Sequence, residues 1–116
     1  MTLKKTPAKP GGDLLQGTLD MLVLQALLIA PAHGYTIAQW IERSTNDLLD
    51  IEEGTLYPAL HRLEERELIS AVWEPSENNR RSKVYELNAA GRKQLEAERK
   101  QWERFSGAVA LILRDA

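Results

Sequence analysis

The sequence predicts a mainly α-helical chain with one small β-hairpin and a long closing helix. Three observations carry this. Apolar residues recur at helical spacing in four stretches, they alternate only between residues 69 and 87, and the last stretch repeats them by sevens. The 116 residues are 43% hydrophobic and 28% charged, which suits one ordinary globular domain and excludes two. The absence of cysteine excludes disulfides, thiol nucleophiles and the common structural zinc sites.

Residues 1–13 contain paired prolines and glycines, Lys4, Lys5 and Lys9, and little apolar material beyond Leu3. They read as a disordered basic tail, either an inert leader or an arm for an anionic partner. The first helix is expected over residues 15–30, stopping at Pro31 because proline disfavours helical geometry in the residue before it. Ten of the twelve residues from 19 to 30 are apolar and they go all the way round, Leu19, Val23 and Ala26 to one side, Met21, Leu24 and Leu28 to the other. A helix apolar on every face must be covered on every face, and a second copy of the chain is the simplest cover. Spanning a bilayer takes about twenty apolar residues, so this stretch is no membrane anchor. No apolar run follows the N-terminal lysines, so the cytoplasm is expected.

Residues 31–34 read as a turn. Ile37, Ala38 and Ile41 then mark a short amphipathic helix, and residues 46–54 form an acidic connector whose Asp47, Asp50, Glu52 and Glu53 complement the dipole of the next helix. That third helix spans about residues 55–66, with Leu56, Leu60 and Leu63 on one stripe. Pro58 restricts its start to near Glu53 or Thr55, since proline is at ease only in a first turn. Ile69, Ala71 and Trp73 then alternate with Ser70, Val72 and Glu74, and Tyr85 and Leu87 share a face of a second run, giving a hairpin. Its tip over residues 75–82 is basic, with Arg80, Arg81 and nearby Lys83 against Glu77. In the last helix, residues 89–113, Leu95, Trp102 and Val109 form one heptad series and Phe105 and Ile112 the other. Glu98 interrupts the second series and Gly107 costs about 1 kcal/mol of helix propensity, so folding back on the same domain is the competing arrangement.

For catalysis the inventory is thin: His33, His61 and no carboxylate cluster outside the helix-start connector. His61 and Glu64 stand three apart on one helix, but the order is wrong for a metal pair and no second pair exists. No cofactor, metal or enzymatic activity is expected. Three helices, a hairpin and a long helix follow the order of a winged helix-turn-helix, whose third helix enters the DNA major groove while the wing lies along the backbone. Placing Leu56, Leu60 and Leu63 inward turns Pro58, His61, Arg62 and Glu65 outward, with Tyr57 at the flank. The net charge of −2 gives no bulk attraction to DNA, and from Thr55 to Arg66 two arginines are balanced by two glutamates, so the wing's Arg80 and Arg81 are the strongest candidates for phosphate contacts, a solvated charged turn being the alternative. The alternative is a winged helix that docks a protein and uses the wing charges only for solubility.

The chain also resembles the PadR-type transcriptional regulators over residues 15–113. The resemblance rests on Gly17-Thr18-Leu19-Asp20, on His33-Gly34-Tyr35, on the run from Gly54 to Glu64, and on Val84-Tyr85-Glu86-Leu87 with Ala90-Gly91-Arg92. It departs at Glu67, where the family usually has glycine, and at the wing tip, which lacks the usual short Gly/Arg turn. The resemblance implies a cytoplasmic dimeric repressor that leaves a pseudo-palindromic operator when a small molecule or other signal arrives. It places Tyr35, Thr55, Tyr57 and His61 against DNA, with Thr36, Pro58, Arg62, Arg80, Arg81 and Lys83 completing the candidate surface. The dimer would join through the first and last helices, by Leu19, Leu22, Leu24 and Leu28 and by Leu95, Trp102, Phe105, Val109 and Ile112. Trp102 is either plain dimer packing or a platform for a small aromatic effector. Expected organisation is therefore a tail (1–13), a winged helix-turn-helix (14–88) and a dimerisation helix (89–116).

Overall fold

Helix α1 (Gln16–Ile29) stops just short of Pro31 and is the centre of the molecule; the structure, a computed structural model, describes residues 16–75 and 81–114. The expected tail at residues 1–13 and the wing residues 76–80 lie outside the described residues. α1 buries Leu19, Val23, Leu24, Ala26 and Leu27 against α2 (Gly34–Ser44) and α3 (Glu53–Glu65), which add Ile37, Ile41, Leu56, Ala59, Leu60 and Leu63. Leu, Ile, Val and Ala side chains fill this space, and among the described residues Asp20 is the one buried charged group. α3 starts at Glu53, which leaves Pro58 inside the helix rather than in its first turn. The missing N–H of Pro58 falls opposite the exposed Gly54, where water can reach the orphaned carbonyl.

One protomer therefore covers more of α1 than its all-round apolar pattern suggests. Leu19, Leu24 and Leu95, expected at a dimer interface, are 2%, 0% and 2% exposed and belong to the protomer's own core. Leu95 gets there because the first turns of α4 (Ala89–Arg114) fold back along α1, as the competing arrangement has it, whereas beyond Leu95 no described residue of α4 is buried. Leu22 is half-buried and Leu28 is 37% exposed.

The sheet is larger than a hairpin. β2 (Ile69–Pro75) and β3 (Arg81–Leu87) pair antiparallel as expected, but Ala32 and His33, read as part of a turn, form β1 against Tyr85 and Val84, giving the order β1-β3-β2. Pro31 keeps the preceding chain extended, and the two-residue strand satisfies an edge of β3 that would otherwise stand open. Ile69↔Leu87, Ala71↔Tyr85 and Trp73↔Lys83 face each other in register. That face runs from buried at Ile69 and Leu87 to half-exposed at Trp73, because the hairpin outruns the core.

The corner after α3 is a complete C-terminal cap. The Leu68 N–H donates to the Leu63 carbonyl at 3.0 Å and the Glu67 N–H to the Glu64 carbonyl at 2.9 Å, with Glu67 at φ 60°. This left-handed position explains why a glycine would be at home there; an L side chain costs roughly 1–2 kcal/mol in that conformation. Glu67→Gly should therefore raise stability by about 1 kcal/mol after the flexibility added to the unfolded chain is subtracted, read as a higher urea midpoint at unchanged slope. Asn88 locks the same corner to α4: its Nδ2 donates to the Glu67 carbonyl at 2.9 Å and its Oδ1 accepts from the Gly91 N–H at 2.8 Å.

Candidate nucleic-acid interface

Burying the leucine stripe of α3 turns Thr55, Tyr57, Pro58 and His61 to solvent, and Tyr35 and Thr36 at the start of α2 are exposed beside them. Tyr57 is 42% exposed and Tyr35 67%, high values for aromatic residues. Gly34 makes this arrangement fit: a Cβ there would fall 2.9 Å from the Tyr57 hydroxyl oxygen, so the Tyr57 ring lies against the backbone at the start of α2. The Tyr35 hydroxyl accepts from Gln39 Nε2 at 3.1 Å and keeps its own proton available to an outside acceptor. His61 lies 3.3 Å from Glu65 one turn on. The result is a row of hydroxyls and one imidazole, suited to phosphate and base-edge hydrogen bonding rather than to acid–base catalysis.

Two of the expected DNA ligands point elsewhere. Arg62 turns inward and donates from Nη2 to Asp20 Oδ1 at 2.7 Å, because Asp20, 5% exposed within the apolar α1, requires a cation. Lys83 donates to Glu64 Oε1 at 3.2 Å and lies over the rings of Trp73 and Tyr85. Burial raises the pKa of the Tyr85 hydroxyl, against the opposing pull of the Lys83 charge. Of the wing arginines, Arg80 lies outside the described residues, and Arg81 is the strand position opposite Pro75. Spacing along the chain assigns no functional role to Asp20 or Glu64. For Asp20 a signal is nonetheless present, since a lone carboxylate inside an all-apolar helix implies a buried partner.

The corner between α2 and α3 carries the acidic connector. Glu42 has a raised pKa, chiefly through a hydrogen bond with the Asp50 carboxyl, then through partial burial and the charges of Asp50 and Asp47. The folded state holds this proton more tightly than the unfolded chain, so stability rises as pH falls through the raised pKa and the repulsion is fully present at neutral pH. Glu42→Gln, which supplies a permanent N–H donor to Asp50, should raise Tm at pH 7 and lose that advantage below the ordinary carboxylate range.

At the other candidate site, α1 and α4 leave an open cleft of about 410 Å³ lined by Thr18, Met21, Glu98, Trp102 and Phe105. The Trp102 and Phe105 rings are 6.3 Å apart at 47°. Past the cleft, Val109 and Ile112 are 39% and 74% exposed, so no described residue covers this face of α4. Among the described residues no helix is long and apolar enough to cross a membrane, and no cluster of three His, Asp or Glu is placed to hold a metal.

Comparison with known proteins agrees with this geometry. Residues 23–97 match the transcriptional regulator PadR-like family. An uncharacterized protein from Lysinibacillus sphaericus is 31% identical over 101 residues, 87% of this chain and 93% of its own. Among solved structures, a transcriptional regulator from Clostridium thermocellum superposes with a TM-score of 0.77 at 29% identity, over 84% of this chain and 94% of that one. A PadR family transcriptional regulator from Eggerthella lenta gives 0.76 at 31% identity, over 87% and 86%. A winged helix-turn-helix with a long last helix, an exposed hydroxyl row shared by its second and third helices and this agreement across most of the chain have one reading: the protein belongs to the PadR-like family of transcriptional regulators, DNA-binding proteins rather than enzymes.

Proposed function

We propose that the protein is a homodimeric repressor that binds a pseudo-palindromic operator and releases it when a small planar aromatic compound occupies the cleft beside Trp102. The observation that carries the dimer is the second half of α4, where Trp102, Phe105, Val109 and Ile112 stand exposed on one heptad face. Paired through this face and through the half-buried Leu22 and exposed Leu28 of α1, two protomers would set their third helices about 34 Å apart, one turn of duplex. Tyr35, Thr36 and Thr55 would hold phosphates, Tyr57, Pro58 and His61 would meet base edges, and Arg80 and Arg81 would follow the backbone from the wing.

Sequencing genomic fragments retained by the purified protein, with sedimentation at micromolar concentration, tests both halves of the proposal. A two-fold symmetric consensus bound by a dimer is expected; lone protomers or retention without a consensus would overturn it. Arg80→Ala with Arg81→Ala should weaken all duplexes alike and flatten the log–log salt dependence by about 0.9 for each phosphate left unneutralised. His61→Ala or Tyr57→Ala should instead alter sequence preference. Planar aromatic compounds should quench Trp102 emission and lower operator affinity together; quenching without release would remove the effector role.

A further inference from the structure

Four elements meet at Lys83. Its ammonium group donates to Glu64 Oε1 on α3 at 3.2 Å and lies 5.6 Å from the ring centroid of Trp73 on β2 and 5.5 Å from that of Tyr85 on β3. Its carbonyl accepts from the Nδ1–H of His33 on β1 at 3.2 Å. The register requires this meeting, since Trp73 stands directly opposite Lys83 and Tyr85 is two residues along the same face. Both members of the ion pair are about two-thirds shielded, at 32% and 27% side-chain exposure.

A lysine held in this way is costly to redirect. Reaching for a phosphate would surrender two cation–π interactions and leave the largely shielded Glu64 carboxylate without its cation. The wing, in turn, needs such a tie, because β1 supports the base of β3 with two residues only while β2 and β3 run on beyond the core. We infer that Lys83 is a positioning residue rather than a DNA ligand: with Glu64 and Trp73 it sets the angle of the wing against α3, and so decides whether wing and helix reach the same stretch of duplex. The inference deepens the DNA-contacting reading of α3 and the wing and rests on it.

Sign and salt dependence separate the two roles. If Lys83 positions the wing, Lys83→Met and Glu64→Gln each weaken operator binding, by about 5-fold, and together cost little more than either alone. The log–log salt slope stays that of the wild type. If Lys83 instead holds a phosphate, Glu64→Gln tightens binding by releasing the lysine, and Lys83→Met flattens the slope by about 0.9 per phosphate. Either result overturns the inference. The indole N–H resonance of Trp73, assigned with Trp73→Phe, reads the bracket in the free protein: it should move in both single variants. An unmoved resonance would also overturn the bracket, whereas a wild-type protein that binds no duplex at any salt would instead sink the DNA-contacting reading itself.

Discussion

Gly91→Ala should cost about 3 kcal/mol and lower Tm by roughly 12 °C, the largest effect expected of any single methyl group in this protein. A Cβ at Gly91 would fall on the Leu68 carbonyl oxygen and 2.6 Å from Leu87 Cδ1. The leucine methyl can swing aside, but the carbonyl cannot. It belongs to the capped corner after α3 and accepts from the Asn88 N–H at 3.3 Å, while Asn88 itself bridges that corner to the start of α4. Relief therefore requires α4 to back away from β2, taking Leu95 partly out of the core. Thermal and urea unfolding of the variant measure the loss; a change below about 1 kcal/mol would mean that the first turn of α4 is far less tightly seated than this close approach implies.

Arg62→Met should destabilise by about 3 kcal/mol, and adding Asp20→Leu should return most of it. The physical reason lies in the asymmetry of buried charge. Asp20 is 5% exposed, 2.7 Å from the guanidinium, and α1 offers it no other cation. Removing the arginine strands a carboxylate in an apolar helix, whereas removing both charges leaves two well-shaped apolar side chains. A double-mutant cycle in urea isolates the coupling. If Arg62 were a solvent-facing base reader, Arg62→Met would be nearly neutral for stability, and the cycle would show no coupling.

Much of the fold was legible because periodicity reports it directly. The leucine stripe of α3, the stop at Pro31 and the change from helical spacing to alternation at Ile69 each reflect one local constraint, and the expected elements appear within about two residues of their expected bounds, whereas β1 was read as part of a turn. Pro58, His61 and the flanking Tyr57 followed from the same wheel, since fixing which leucines face in also fixes what faces out, whereas Tyr35 and Thr55 were implied by the family resemblance alone. Glu67 was visible as a departure from a family pattern, and its positive φ supplies the reason.

Where periodicity misled, the cause was competition between partners far apart in sequence. Arg62 sits at an outward angle of α3, yet a buried carboxylate 42 positions earlier draws it in. Lys83 reads as part of a basic wing, yet strand register sets it against Trp73, within reach of Glu64. Leu19, Leu24 and Leu95 read as surplus apolar surface until α4 folds back over α1. Element type, order and the inward stripe follow from spacing along the chain, because hydrophobic period and proline geometry act over a few residues. Which charges remain free to meet a phosphate was decided only by tertiary packing, because a charge binds the nearest poorly solvated opposite charge, and that neighbour is chosen by the fold.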